Sequence, residues 1–131
     1  MYILYNILIT LVLIFFVIPY YTYRLMTEKG FSRRFRQSMG NVKDKEIANV
    51  MGKDCVWIHG ASVGEIVATS PLVKQIRKEM PDRPILVSAF TVGGYDMAKK
   101  IIPEADAIIY FPLDLPFVSE SLVKRIHPGV F

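Results

Sequence analysis

Apolar residues fill the first 23 positions almost without a break, and beyond them hydrophobic residues come in short bursts separated by polar turns. No charged side chain occurs before Arg24. A helix needs about 20 mostly apolar residues, each rising ~1.5 Å, to cross a bilayer. Asn6 and Thr10 are the only strongly polar interruptions before Thr22. Tyr20, Tyr21 and Tyr23 gather at one end, where amphipathic rings favour the headgroup level. Pro19 is expected to bend or end the helix near that interface. A cleaved signal peptide would need a basic start and a small-residue cleavage site. Neither is present, so a retained anchor over 1–23 is preferred, with insertion into a single leaflet left open. The positive-inside rule then places residues 24 onward in the cytoplasm.

Residues 24–53 read as a basic, polar connection punctuated by Gly30, Gly40 and Gly52. After it, residues 54–131 alternate two kinds of segment. Cys55–His59, Pro84–Phe90 and Ala107–Phe111 are short apolar runs that predict buried strands. Between them, Val63–Met80 has helical spacing of Ile66, Val67, Leu72, Val73 and Ile76, with a kink expected at Pro71. Thr91–Gly94 predicts a turn into a shorter helix ending at Ile101, and Phe117–Ile126 a third helix. Gly129–Phe131 resembles the first step of a fourth strand. Alternating strands and helices imply right-handed crossovers, a parallel sheet and an α/β, Rossmann-like fold. A parallel sheet needs both faces covered and a complete set of strands, so the domain is expected to continue past Phe131. The loops at the carboxyl ends of the strands, Gly60–Ser62, Thr91–Gly94 and Pro112–Pro116, are expected to share one edge and converge on one cleft.

Composition adds a location and removes some functions. Hydrophobic residues make up 52% of the 131 and the net charge is +4. Arg24, Lys29, Arg33, Arg34 and Arg36 follow the apolar run, with Glu28 alone opposing them. Cations beside an apolar segment point to anionic lipid rather than nucleic acid, each contributing roughly 1 kcal/mol near such a surface. The arginines read most simply as a membrane-facing patch, with bidentate contact to lipid phosphates as the alternative. One cysteine, Cys55, excludes an internal disulfide and any zinc site of usual spacing. It reads as a small buried hydrophobe. No His or acidic spacing predicts a metal site.

Candidate chemistry concentrates in Trp57-Ile58-His59-Gly60-Ala61-Ser62-Val63-Gly64-Glu65. Ser62-x-x-Glu65 fits a helix capping box, in which the serine hydroxyl takes the amide of Glu65 and the carboxylate returns to the amide of Ser62. The same geometry serves a second role. Amide dipoles at a helix start favour an ionised carboxylate, and an ionised carboxylate beside a cleft accepts a proton from an attacking hydroxyl. Gly64 costs helix propensity and admits a ligand close to the backbone. His59 and Trp57 read as structural residues. Gly93-Gly94 lacks the glycine fingerprint and the lysine of a phosphate loop, which also argues against a separate nucleotide-binding domain.

Together these residues resemble a known family. W-I-H-x-x-S-V-G-E, preceded by an apolar anchor and Lys29-Gly30-Phe31-x-x-Arg34, is similar to the Kdo (3-deoxy-D-manno-oct-2-ulosonic acid) transferases of lipopolysaccharide assembly. The similarity continues through Pro71-Leu72-Val73, Pro84–Ser88, Thr91 with Gly93 and Gly94, and Tyr110–Pro116. The resemblance implies the N-terminal half of a two-domain GT-B glycosyltransferase that binds the lipid A precursor. CMP-Kdo would be held by a C-terminal domain, with no metal or other cofactor. It implies inverting transfer at the inner membrane, on its cytoplasmic side, with Glu65 as general base. Ser62 and Gly64 would shape the acceptor cleft, Thr91 and Asp114 its walls. The family's E-x-W-P segment and nucleotide-binding domain are absent from these 131 residues, which implies no transfer by this chain alone. A membrane-tethered binding or interaction module without catalysis is the alternative.

Overall fold

The computed structural model describes residues 2–27 and 30–131, so Met1, Glu28 and Lys29 of the basic cluster lie outside the described residues. It divides into two compact units, Met1–Ser32 and Arg33–Phe131.

The first unit is dominated by one apolar helix. It runs as α1 (Tyr2–Val12), a wider π-helical turn (Leu13–Val17) and α2 (Ile18–Thr27). Residues Tyr2–Arg24 are long and apolar enough, by length and composition, to cross a membrane. A helix that is apolar all round suits a lipid environment. The hydroxyls of Thr10 and Thr22 are satisfied within the helix, donating to the carbonyls of Asn6 and Ile18, each at 2.8 Å. Pro19 does not end the helix. The turn before it widens instead, with the Ile18 amide reaching the Leu13 carbonyl. A π-helical turn makes room for a residue that lacks an N–H and clashes with the preceding turn.

The second unit is built on three parallel strands, β1 (Val56–Gly60), β2 (Ile85–Ala89) and β3 (Ala107–Tyr110), in the order β1-β2-β3. Val130 forms a further parallel bridge to Val56 on the free side of β1, and the Trp57 amide donates to the Val130 carbonyl at 2.9 Å. All five residues of β2 are buried. The crossover helices α5 (Val63–Glu79) and α6 (Val92–Ile101) cover one face through Ile66, Val73, Ala98 and Tyr95. The other face, with Trp57, Leu86 and Ile109, packs on Ile47 of α4 (Asp44–Ile47), on Val42 and Val50, and on Leu122 and Ile126 of α7 (Pro116–Ile126). Each such side chain, fully buried, contributes roughly 1.5–3 kcal/mol. Helix α5 passes through Pro71 without interruption.

Part of the segment expected to be a plain connection is structured. Residues 31–38 form α3 (Phe31–Ser38), and Val42, Ile47 and Val50 enter the core. The polarity of 24–53 hid this, because the buried residues are few and widely spaced. Gly30, Gly40 and Gly52 all adopt positive φ (94°, 80° and 67°), which is the turn chemistry that glycine supplies at little cost. The N-terminal edge of the sheet is locked by Asp106. Its carboxylate accepts from the Ile85 amide at 2.7 Å and from Arg77, whose guanidinium also donates to the Pro81, Arg83 and Glu104 carbonyls.

Arg36 belongs to the fold rather than to an open cationic surface. It forks onto Glu46 at 2.8 and 3.0 Å and donates to the Asn41 carbonyl at 2.6 Å. Burial pushes the Glu46 carboxyl up, but the Arg36 hydrogen bond and the Lys43 amide outweigh it and hold the group below its ordinary 4.5. A depressed folded value means stability present above the ordinary carboxylate range and lost as pH falls through the lowered one. Glu46→Gln is therefore expected to cost about 1–3 kcal/mol at pH 7. The gap to wild type should narrow on acidification below the ordinary carboxylate range, as measured by chemical denaturation across pH.

Candidate functional site

Strand β1 ends at Gly60, and the chain turns at once into α5. Ser62 is the N-cap, extended at φ −121°, and its hydroxyl accepts from the Glu65 amide at 3.4 Å. The carboxylate folds back, but one residue further than the capping pattern predicts. Glu65 Oε2 takes the amide of Ala61 at 2.9 Å, and Oε1 takes the Ser62 hydroxyl at 3.2 Å. The amide of Ala61, rather than that of Ser62, is thus the one aimed at the carboxylate. Ser62, Gly64 and Glu65 are all solvent-exposed. A carboxylate has about four lone-pair sites over two oxygens. Each oxygen of Glu65 therefore keeps one site to accept from a ligand hydroxyl.

Glycines set the shape of this edge. A Cβ on Gly60 would fall 2.8 Å from Ile66 Cδ1 and 3.3 Å from the Ile66 amide nitrogen. The residue is therefore bare because α5 starts against it. A Cβ on Gly64 would meet nothing within 4 Å. No packing contact accounts for that glycine, and its first-turn backbone stands open. Gly93 and Gly94 lie inside the first turn of α6, not in a turn before it, and Thr91 is the N-cap, its hydroxyl accepting from the Gly94 amide at 3.0 Å. They let α6 start close to α5: added Cβ atoms would lie 3.2 Å from Val63 Cγ2 and 3.5 Å from the Ser62 carbonyl carbon.

Thr91 therefore neighbours Ser62 at the carboxyl edge of the sheet. Asp114 is exposed on the turn after β3, at the same edge but two strands from β1, and no hydrogen bond joins it to the Glu65 group. Arginines that the sequence assigns to the membrane contribute to this edge. Arg33 donates to the Tyr95 hydroxyl at 3.1 Å, and Arg34 donates to the Phe90 carbonyl at 2.9 Å with its guanidinium 5.0 Å from the Phe90 ring. The buried Gln37 accepts from the Tyr110 amide at 2.7 Å. Helix α3 so lies across the ends of β2 and β3, a placement with no sequence signal beyond its pair of phenylalanines. Arg24 belongs to the first unit, 5.5 Å from the Phe31 ring.

His59 closes β1 beside the site. Its Nδ1 lies 3.1 Å from the Ser88 hydroxyl, which also accepts from Trp57 Nε1 at 2.8 Å. Burial lowers its pKa below the ordinary 6.5, against the opposing pull of the Ser88 backbone and of the Glu65 charge. Cys55 is buried, and burial pushes its thiol up. Among the described residues no three His, Cys, Asp or Glu side chains converge as a metal site would require. Among the described residues, shallow hollows lie along the anchor helix by Asn6 and Thr10 and on α7 by Phe117 and Ser121. The second is lined by the exposed Lys124–Glu120 ion pair, and neither lies at the Glu65 edge.

The order of the strands explains why this edge matters. The chain moves from β1 to β2 to β3 in one direction, then returns to the opposite side of β1 at Val130. Open α/β sheets bind ligands at the carboxyl ends of the strands where the direction of winding reverses. Here that point is the end of β1, where Glu65 stands. A family model described as 3-Deoxy-D-manno-octulosonic-acid transferase (kdotransferase) matches residues 30–131, a span that contains this whole edge.

The chain belongs to the Kdo transferase family. It is 36% identical over 73 residues to a 3-deoxy-D-manno-octulosonic acid transferase of Haemophilus influenzae, covering 56% of this chain and 17% of that protein. It is 37% identical over 76 residues to the enzyme of the same name from Chlamydia muridarum, covering 57% and 18%. To that of Rickettsia felis it is 28% identical over 102 residues, covering 76% and 22%. The matched stretch spans less than a quarter of the length of each of these curated relatives.

In this Kdo transferase chain the start of α5 depends on Gly60 being bare. Gly60→Ala is expected to lower stability by about 1–3 kcal/mol through overpacking against Ile66. The check is the urea midpoint. A midpoint equal to wild type would mean that α5 does not start where it is placed here.

Proposed function

We propose that this chain is the N-terminal, acceptor-binding part of an inverting GT-B glycosyltransferase. It would transfer Kdo from CMP-Kdo to the lipid A precursor in lipopolysaccharide biosynthesis. The observation that carries the proposal is the exposed Glu65 carboxylate, tethered to Ala61 and Ser62 at the end of β1. In this mechanism a sugar hydroxyl of the lipid donates its proton to Glu65. Its oxygen attacks the anomeric carbon of Kdo from the face opposite CMP, and CMP leaves with the bonding electron pair. The chemistry calls for no metal or other cofactor. The donor in this reading is CMP-Kdo. Ser62 and Gly64 border the acceptor, with Thr91 beside them and Asp114 further along the edge.

The apolar helix supports a setting at the inner membrane, with the Glu65 unit on the cytoplasmic side. Arg24, Arg33 and Arg34 then face anionic headgroups or the phosphates of the acceptor. Arg36, forked onto Glu46, serves the fold.

Two outcomes are expected. In a transferase that carries this chain, Glu65→Gln should lower kcat about 100- to 10,000-fold, the range for loss of a general base. The acceptor KM and the circular dichroism should stay near wild type. Turnover equal to wild type would remove Glu65 from the base role. Deleting residues 1–23 should move the protein from the membrane pellet to the supernatant. If it stays in the pellet through a high-salt wash, apolar contacts elsewhere hold it.

A further inference from the structure

The Glu65 carboxylate is held at both oxygens, and its two holders differ in a way that matters for a base. Oε2 accepts from the Ala61 amide at 2.9 Å, and Oε1 accepts from the Ser62 hydroxyl at 3.2 Å. A backbone N–H can only donate. It cannot turn away unless the Gly60–Ser62 turn moves with it. A serine hydroxyl carries one proton and two acceptor lone pairs, and its proton rotates to suit its partners. Ser62 uses one lone pair to accept from the Glu65 amide at 3.4 Å. Its proton goes to Oε1, and its position on the exposed turn offers water as another partner.

Proton transfer changes what each oxygen can do. A carboxylate oxygen that takes a proton loses its charge and becomes a weaker acceptor. If Oε2 took it, the Ala61 amide would be left aimed at an oxygen that no longer accepts well, with no means of turning elsewhere. If Oε1 takes it, Ser62 turns its own proton outward to water, and no donor is stranded. Oε2 then keeps the Ala61 bond throughout. The two bonds also do together what neither does alone. One fixes a point of the carboxylate, and the second fixes its plane. Glu65 is exposed, so without the pair its long side chain would spread over many directions. A misplacement of about 1 Å in a reacting group costs on the order of a hundredfold in rate.

We propose that Oε1 of Glu65 is the oxygen that takes the sugar's proton, with Ser62 as the positioning residue that aims it and gives way as the proton arrives. This rests on the base reading of Glu65 above. In the step, the O–H bond of the sugar hydroxyl breaks and an Oε1–H bond forms. The electron pair of the broken O–H bond stays on the sugar oxygen, which forms the new bond to the anomeric carbon of Kdo. CMP departs with the electrons of the bond that breaks there. Ser62 neither gains nor loses a proton; its hydroxyl only changes partner. Gly64 follows on the same first turn of α5, where a Cβ would meet nothing within 4 Å, so the turn that carries the base has room for a sugar.

The test uses a transferase that carries this chain in full. Ser62→Ala should lower kcat about 10- to 100-fold, the range for one hydrogen bond to a charged group. The acceptor KM should stay within about twofold of wild type, as for an interaction that acts on the chemical step. Ser62→Thr, which keeps the hydroxyl, should recover most of the loss. Ser62→Asp caps a helix as well as serine does but has no proton to give. Its urea midpoint should stay near wild type while its turnover falls as in Ser62→Ala. The decisive comparison is made on the residual turnover of Glu65→Gln. Adding Ser62→Ala there should cost nothing further, because the carboxylate that Ser62 positions is gone. A second loss as large as the first would mean that Ser62 acts on the fold or on the sugar directly, and would overturn the proposal. So would Ser62→Ala turning over like wild type, or an acceptor-bound structure with the sugar hydroxyl on Oε2. The two readings fail separately. Full turnover in Glu65→Gln sinks the base role itself. Loss of turnover there, beside an unaffected Ser62→Ala, sinks the Ser62 role alone.

Discussion

Everything at the candidate site depends on β2 being paired on both sides and buried from end to end. A parallel pair cannot be joined by a tight turn. Each strand must be followed by a helix that crosses a face of the sheet, and every such helix starts at the same edge. Burial of β2 sets which residues point to each face, and so fixes the register of β1 and β3 to either side. The helix starts that follow, Ser62–Glu65 and Thr91–Gly94, are drawn together as a consequence. Glycines 60, 93 and 94 are what that crowding leaves room for.

The two edges of the sheet are then used differently. At the amino edge Asp106 and Arg77 tie three backbone carbonyls and one amide into one clamp. At the carboxyl edge Ser62, Glu65 and Thr91 are held by one or two side-chain bonds and remain exposed. Helix α3 crosses the ends of β2 and β3 through Arg34 and Gln37, while the end of β1 carries the exposed acid. On the proposed function, stability and chemistry occupy opposite ends of the same strands. This division lets the Glu65 edge stay solvent-facing without weakening the core.

Much of this was legible in the sequence. Short apolar runs gave the three strands to within a residue or two at each end, and Ser62 and Thr91 stand where N-caps were implied or where a turn was expected. Val130 pairing with Val56 agrees with a fourth strand beginning there. Four features were not legible, each for a physical reason. Helix α3 and the core residues Val42, Ile47 and Val50 lie in a polar segment whose few buried positions make no periodic pattern. Pro19 was expected to bend or end its helix, but a widened turn absorbs it and the helix continues. The partners of Arg33, Arg34 and Arg36 are distant in sequence or depend on a local fork, so charge clustering alone suggested a surface patch. The hydroxyl of Ser88, which ties Trp57 to His59, became visible only once the strands were in register.

The central claim is that the sugar acceptor is bound at the end of β1 with its reactive hydroxyl on Glu65. A crystal structure of the transferase with the lipid A precursor bound tests it most directly. The account predicts an acceptor hydroxyl within about 3.2 Å of a Glu65 carboxylate oxygen, the reach of a hydrogen-bonded base, with Ala61 still holding the other oxygen. An acceptor seated elsewhere, with Glu65 closed only on Ala61 and Ser62, would contradict it.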